Sequence, residues 1–408
     1  MEVNMSNKQN DYESLKPITI NPGAEVTGDD FFGRENELSY LRDILSTTSS
    51  SVIIPGPRRW GKSSFVKEFG ESNSEDFNFI YMHLHHCQSI ETFYNYFLDR
   101  IKSNNPQAFL LKSERGLKKI TNTITGLIKK IGFEGLEIEP GKIDQKGSVE
   151  LFNSMGKIIK QFPKKNIILV LDEISDFLID VRKNSGEDDA KNLLKWLRTL
   201  RQEFKVQMIL TGSINIVWAL KELRSEAMVG DMRTLPLEPM DEDNSIVFFK
   251  SLLKSKNIKV KSEALSFCED KIKDGIHYFI QVFADEINKN CSEGDIIQDK
   301  SKIESVYISF LESDMPAFSN FNTRLSEYLS AAQEKAARKI LAYTAYSPKD
   351  FDDLFALTGS FFSDDKLKLH NLLRRLCDEG YLIEKDSEFS FISVFLAEYW
   401  QKHYYFER

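Results

Sequence analysis

The apolar triplet Val52-Ile53-Ile54 runs straight into Gly56-Pro57-Arg58-Arg59-Trp60-Gly61-Lys62-Ser63, and apolar positions at helical spacing resume over residues 64–69. No other stretch of the chain restricts the fold as strongly. A strand without polar alternation belongs inside a parallel sheet covered on both faces. A glycine-bounded loop between such a strand and a helix turns consecutive backbone N–H groups toward an anion. The GxxxxGK[ST] spacing is met at every fixed position, so Gly56, Pro57, Arg58, Arg59, Trp60, Gly61, Lys62, Ser63 and Ser64 are predicted to cradle the phosphates of a nucleotide. Lys62 would reach the β- and γ-phosphates, and the Ser63 hydroxyl would ligate Mg²⁺.

The surrounding sequence alternates strands and helices. Strands are predicted over residues 78–85, 166–171, 206–210 and 233–237, with amphipathic segments among them, the pattern of βαβ units and a parallel sheet. The strand over 166–171 ends in Asp172-Glu173. There the first carboxylate suits a metal's water shell, and the second suits polarising an attacking water. The next strand ends in Leu210-Thr211-Gly212-Ser213. Parallel strands deliver their C-terminal ends to one crevice, which makes Thr211 the candidate γ-phosphate sensor and Ser213 the reserve. Capping of a following helix over 214–223 is the other use those hydroxyls can have.

The chain divides into a flexible lead-in over residues 1–30, where Pro17, Pro22 and Gly23 break any periodicity, and a core over 31–240. An α-helical lid over 241–330 follows, with helices at 244–256, 263–272 and 278–288. Residues 331–408 give three helices and two short strands, 381–384 and 389–391, the order of a winged helix. An insertion between the second and third strands carries a basic helix-like piece over 117–131 and an alternating stretch over 133–138.

Fifty-four basic residues stand against 62 acidic ones, a net charge of −8, so no global counter-charge for a nucleic-acid backbone exists. Residues 331–408 hold eleven Lys and Arg against thirteen acids, and the turn Glu384-Lys385-Asp386-Ser387-Glu388 is acidic where a DNA-gripping wing is basic. The module is therefore expected to pack on the core or on a protein partner; DNA binding is the less favoured reading. The longest strongly apolar run, residues 167–171, is far too short for a bilayer, and Cys87, Cys268, Cys291 and Cys377 have no CxxC spacing, so a cytoplasmic protein without membrane contact is expected. His83, His85, His86 and Cys87 are metal-capable by type, but neighbours on a strand point to opposite faces and no metal site is expected from them.

Taken together, Phe32-Gly33-Arg34-Glu35-Asn36-Glu37-Leu38, the phosphate loop, Leu171-Asp172-Glu173, Leu237-Glu238-Pro239-Met240, and the ending from Phe389-Ser390-Phe391 to Glu398-Tyr399-Trp400 resemble one group. These are the prokaryotic, archaeal-type ATPases of the AAA+/STAND superfamily, akin to origin-recognition ATPases. The resemblance implies an α/β fold: a P-loop NTPase parallel-sheet core followed by an α-helical lid and a C-terminal winged-helix domain. It implies ATP and Mg²⁺ as cofactors, Phe32 and Arg34 on the adenine side, and Ser63 with Asp172 at the metal. Glu173, Lys62, Thr211 and Arg233 would then form the catalytic set. Two positions depart from the group. Gly275-Ile276-His277 has histidine where a proline opens the lid helix, and Gly230 is followed by Asp231 where an arginine is common, with Arg224 and Arg233 nearby as substitutes. The function this implies is an ATP-hydrolysing switch that couples nucleotide state to the arrangement of core, lid and winged helix, acting on a protein partner or by self-association. The alternatives are a DNA-binding ATPase of replication, transposition or defence, and a nucleotide-stabilised scaffold.

Overall fold

The computed structural model describes residues 12–48, 50–103, 167–212, 216–312 and 316–407, with isolated positions between 149 and 159. Two compact units emerge. One comprises Arg34–Gly56 and Phe65–Leu237, the other residues 12–33, Pro57–Ser64 and the chain from Glu238 onward.

The sheet unit contains α1 (Glu35–Asp43), β1 (Val52–Ile54), α2 (Lys62–Ser72, its first turn grouped with the other unit), β2 (Asn78–His83) and α3 (Ile90–Ser103). It continues with β3 (Ile167–Asp172), α4 (Ile174–Asn184), α5 (Glu187–Gln202), β4 (Gln207–Thr211), α6 (Ile216–Glu222) and β5 (Arg233–Thr234). All five strands are parallel in the order β2-β3-β4-β1-β5. Every residue of β1 and β4 is buried, as the unbroken apolar runs require, and Leu169, Leu171, Met208 and Leu210 pack with Phe93, Phe177 and Leu197 of the covering helices. The second strand ends at His83, short of residue 85, because the chain turns there and Cys87 N–H closes onto the Leu84 carbonyl at 2.8 Å. The insertion pieces 117–131 and 133–138, and Ser213, lie outside the described residues.

The second unit is largely helical. It contains α7 (Glu242–Lys254), β6 (Lys259–Val260), α8 (Ser262–Ile272), α9 (His277–Asn290), β7 (Ile296–Ile297), α10 (Lys300–Glu312) and α11 (Pro316–Tyr328). Then come α12 (Ala331–Thr344), β8 (Lys349–Asp350), α13 (Phe351–Thr358), α14 (Lys366–Asp378), β9 (Leu382–Lys385), β10 (Glu388–Phe391) and α15 (Val394–His403). The three-stranded antiparallel sheet β8-β10-β9 and helices α12 to α14 have the winged-helix arrangement. Asp386 and Ser387, both at positive φ, make the tight hairpin turn of the wing. Phe279 and Phe283 of α9 and Phe318 of α11 pack on Phe395 and Tyr399 of α15 at centroid distances of 4.8–6.0 Å, so helices α7 to α11 and the winged helix share one core.

Residues 12–30 depart from the expected flexible lead-in. Ile18 is 3% exposed within that shared core, its N–H donates to the Ser251 carbonyl at 3.1 Å, and the Tyr12 hydroxyl donates to the Ile258 carbonyl at 2.7 Å. Ile18 and Ile20 alternate with Pro17 and Thr19, so a short extended strip presents its apolar side to the helices. The prolines that break helical periodicity suit this strip well.

Candidate nucleotide site

The phosphate loop owes its shape to its backbone. Gly56 and Gly61 sit at φ 148° and 79°, and Arg59 also adopts positive φ, 68°, a conformation that costs a non-glycine residue about 1 kcal/mol. A compensating contact is at hand, since the Arg59 guanidinium lies 4.2 Å from the ring centroid of Tyr278 on α9. Burial lowers the Arg59 pKa from its ordinary value, with the Tyr278 side chain opposing the shift. Lys62 is 5% exposed, and its ammonium donates to the Pro57 carbonyl at 2.6 Å across the loop. The Ser64 hydroxyl accepts the Val26 N–H at 3.1 Å, and Trp60 packs against the helical core. Pro57 is seated on Gly380, at the end of α14: a Cβ built there would lie 2.5 Å from the proline Cβ, and Gly380 itself has φ 79°.

Phe32 stacks on Phe248 at 5.1 Å between centroids, and its carbonyl lies 3.3 Å from His277 Nε2. That contact is what the histidine at the start of α9 makes in place of the expected proline. Gly275 just before it cannot be replaced, because a Cβ would meet the Met240 carbonyl oxygen at 2.0 Å. In the sheet unit Arg34 occupies the left-handed region ahead of α1 and pairs with Glu37 at 3.0 Å.

The sheet unit has its own cluster at the C-terminal ends of its strands. Asp172 is 1% exposed and its carboxylate accepts two hydroxyl donors, Thr211 on Oδ1 and Tyr81 on Oδ2. Thr211 in turn accepts the Glu173 N–H at 3.4 Å. A buried carboxylate held by hydroxyl donors at a strand end is the type of oxygen ligand that suits the water shell of a divalent cation. Glu173 sits at φ 63° as the residue before α4, a left-handed position that a glutamate occupies only under local constraint. Thr211 is in register with Ile54, so β4 brings the threonine beside the strand from which the loop departs. The described part of the next helix, α6, runs over Ile216–Glu222, and the Thr211 hydroxyl bonds Asp172 and the Glu173 N–H. Tyr81 escaped sequence reading; its only signal was the alternation Ile80-Tyr81-Met82-His83, which sets Tyr81 and His83 on one face of β2.

The arginine candidates stand apart from this cluster's hydrogen bonds. Arg224 and Arg233 are both exposed, Arg233 on β5. Asp231 accepts a two-pronged pair from Arg201 at 2.8 and 3.1 Å, so the position where the group has a cation here serves an internal ion pair. The His83 and His85 rings are 6.2 Å apart, His86 packs edge-on against Tyr96, and burial pushes the Cys87 thiol up to about 12. On α14 the Lys366 and Lys368 ammonium groups lie 3.6 and 3.8 Å from Asp352 and Asp365, Arg375 is buried, and Asp365 caps the helix. No helix among the described residues is long and apolar enough to cross a membrane.

This fold has solved counterparts. The Walker-type ATPase PABY2304 of Pyrococcus abyssi is 19% identical with a TM-score of 0.63, over 94% of this chain and 98% of that one. The Aeropyrum pernix ORC2 protein, solved in ADPNP and ADP complexes, is 12% identical with a TM-score of 0.54, over 92% and 95%. Both likenesses establish the P-loop NTPase fold of AAA+ type. A search of curated proteins by sequence finds no match. The family profile described as an ATPase domain predominantly from Archaea matches residues 31–269, more than half the chain. The protein therefore belongs to this family of archaeal-type ATPases.

Proposed function

We propose that the chain binds ATP with Mg²⁺, hydrolyses it, and uses the nucleotide state to change the arrangement of its parts. The observation that carries this reading is the phosphate loop itself: Gly56, Arg59 and Gly61 at positive φ, a buried Lys62 drawn onto the Pro57 carbonyl, Arg59 on Tyr278 and Pro57 on Gly380. A nucleotide that draws Lys62 off the Pro57 carbonyl changes the loop's contacts with Tyr278 and Gly380, and a nucleotide that binds one set of those contacts better than the other shifts the balance between arrangements. Lys62 exchanges the Pro57 carbonyl for phosphate oxygens, and the loop N–H groups bind the anion. Mg²⁺, when bound, would neutralise phosphate charge and be held by Ser63 and Asp172. Glu173 takes the proton of the attacking water, Thr211 orients the cluster, and Phe32 and Arg34 border the base. Arg233 or Arg224, both exposed, acts on the nucleotide of a second copy. The ADPNP and ADP complexes of the Aeropyrum pernix protein support a nucleotide as ligand. We also propose that residues 241–330 act as the lid, and that the winged helix serves protein contact in the cytoplasm.

The test is ATP turnover by the full chain with and without duplex DNA. Turnover that is Mg²⁺-dependent and indifferent to DNA supports the switch. Strong stimulation by DNA transfers the reading to a DNA-acting ATPase, and binding without turnover to a scaffold. A trans arginine shows as specific activity that rises with protein concentration, and as partial recovery when Arg233→Ala is mixed with Glu173→Gln.

A further inference from the structure

We propose that Tyr81 is a positioning residue for Asp172, fixing the rotation of the carboxylate that faces the metal's water shell; this rests on the Mg²⁺-ATP reading above. A carboxylate at a strand end rotates about a soft terminal torsion, and one hydrogen bond leaves it free to pivot. Thr211 holds Oδ1, and the Tyr81 hydroxyl holds Oδ2, so the plane of the group is set from both sides. Tyr81 reaches it diagonally, being in register with Val170, two residues before Asp172, within the span of a long side chain on an adjacent strand.

The phenol is itself held. Its ring lies 5.1 Å from the Lys67 ammonium on α2, and its backbone carbonyl accepts Arg100 Nε at 2.9 Å. Lys67 belongs to the same helix as Lys62 and Ser63, one turn on, so the ring joins the helix that follows the phosphate loop to the strand end bearing the carboxylate. Removing a partner that orients a metal-facing carboxylate typically lowers metal affinity about 10- to 100-fold.

The experiment uses Tyr81→Phe in the full chain, which deletes the hydroxyl and keeps the ring. Binding of a fluorescent ATP analogue is titrated with Mg²⁺, repeated in EDTA, and accompanied by thermal unfolding. The inference expects the Mg²⁺ half-saturation to rise about tenfold, with unchanged affinity in EDTA and little change in Tm. A Mg²⁺ curve that overlays the parent's overturns it, as does an equal loss of affinity with and without Mg²⁺, which is the mark of a purely structural tyrosine. A parent protein whose nucleotide binding ignores Mg²⁺ overturns the functional reading itself and this inference with it, whereas a Mg²⁺-responsive parent matched by Tyr81→Phe removes the inference alone.

Discussion

The phosphate loop is one continuous run whose working groups are mostly backbone N–H and carbonyl, shaped by Gly56, Gly61 and a left-handed Arg59. The carboxylate cluster instead draws its side chains from three strands, Tyr81 on β2, Asp172 on β3 and Thr211 on β4. One feature has its binding groups contiguous in sequence; the other exists only once the sheet has paired in register. Binding an anion needs many modest dipoles, whereas placing a cation's shell or a proton acceptor needs a few side chains at fixed positions.

Glu173→Gln breaks the comparison hardest, because one carboxylate oxygen beside the strand-end cluster becomes an amide nitrogen, which keeps the shape and removes the base while the loop is untouched. Turnover is expected to fall by roughly 10²–10⁴ with nucleotide affinity retained, read by phosphate release beside equilibrium binding. Unchanged turnover would place the base elsewhere. Lys62→Ala strikes the side chain on which the loop relies, and nucleotide affinity should drop about 10- to 100-fold, measured by fluorescence titration.

The loop's dependence on backbone shape is sharpened at Gly380. Gly380→Ala combines a left-handed conformation with contact against Pro57, and about 2 kcal/mol of stability should be lost in chemical denaturation. Adding Pro57→Gly should recover part of it, whereas strictly additive losses would show that the two positions do not bear on each other.

The smallest effect concerns Asp274, whose carboxylate accepts the Val394 N–H at 2.5 Å at the start of α15, an internal anion at a helix N-terminus. Burial raises its pKa from 3.8 to about 6, outweighing the amide bond. With the folded value raised, the folded state holds the proton more tightly than the unfolded chain does. The stability this gives is complete below about pH 4 and lost as pH rises through about 6. Asp274→Asn should flatten that slope and stabilise the protein by about 1 kcal/mol at pH 7.5, seen as a Tm rise of a few degrees. A Tm that falls would mean the charge is needed there.

Legibility followed the same division. The strand, loop and helix of residues 52–72 could be read because each piece lies beside the next in sequence, and Asp172-Glu173 because an apolar strand announces its own end. Tyr81 could not be found, since its partner is 91 residues away and only the β2–β3 register joins them. Gly380 under Pro57 and Tyr278 under Arg59 were hidden for the same reason. Ile18 was missed differently: two isoleucines at alternate positions between prolines are too short a run to mark an element, and the burial of Ile18 depends on a surface made by residues more than two hundred positions on.

That last separation has a consequence for how the chain is made. Residues 12–30 are synthesised well before their partners: the Ser251 carbonyl, Gln281 and the core that receives Ile18 follow some 240 residues later. At ordinary elongation speeds this is a wait of about 10–50 s, long enough for the parallel sheet to condense beforehand. The strip must then be captured after the fact, and Ile18 and Ile20 stay exposed until the helices that receive them have been made.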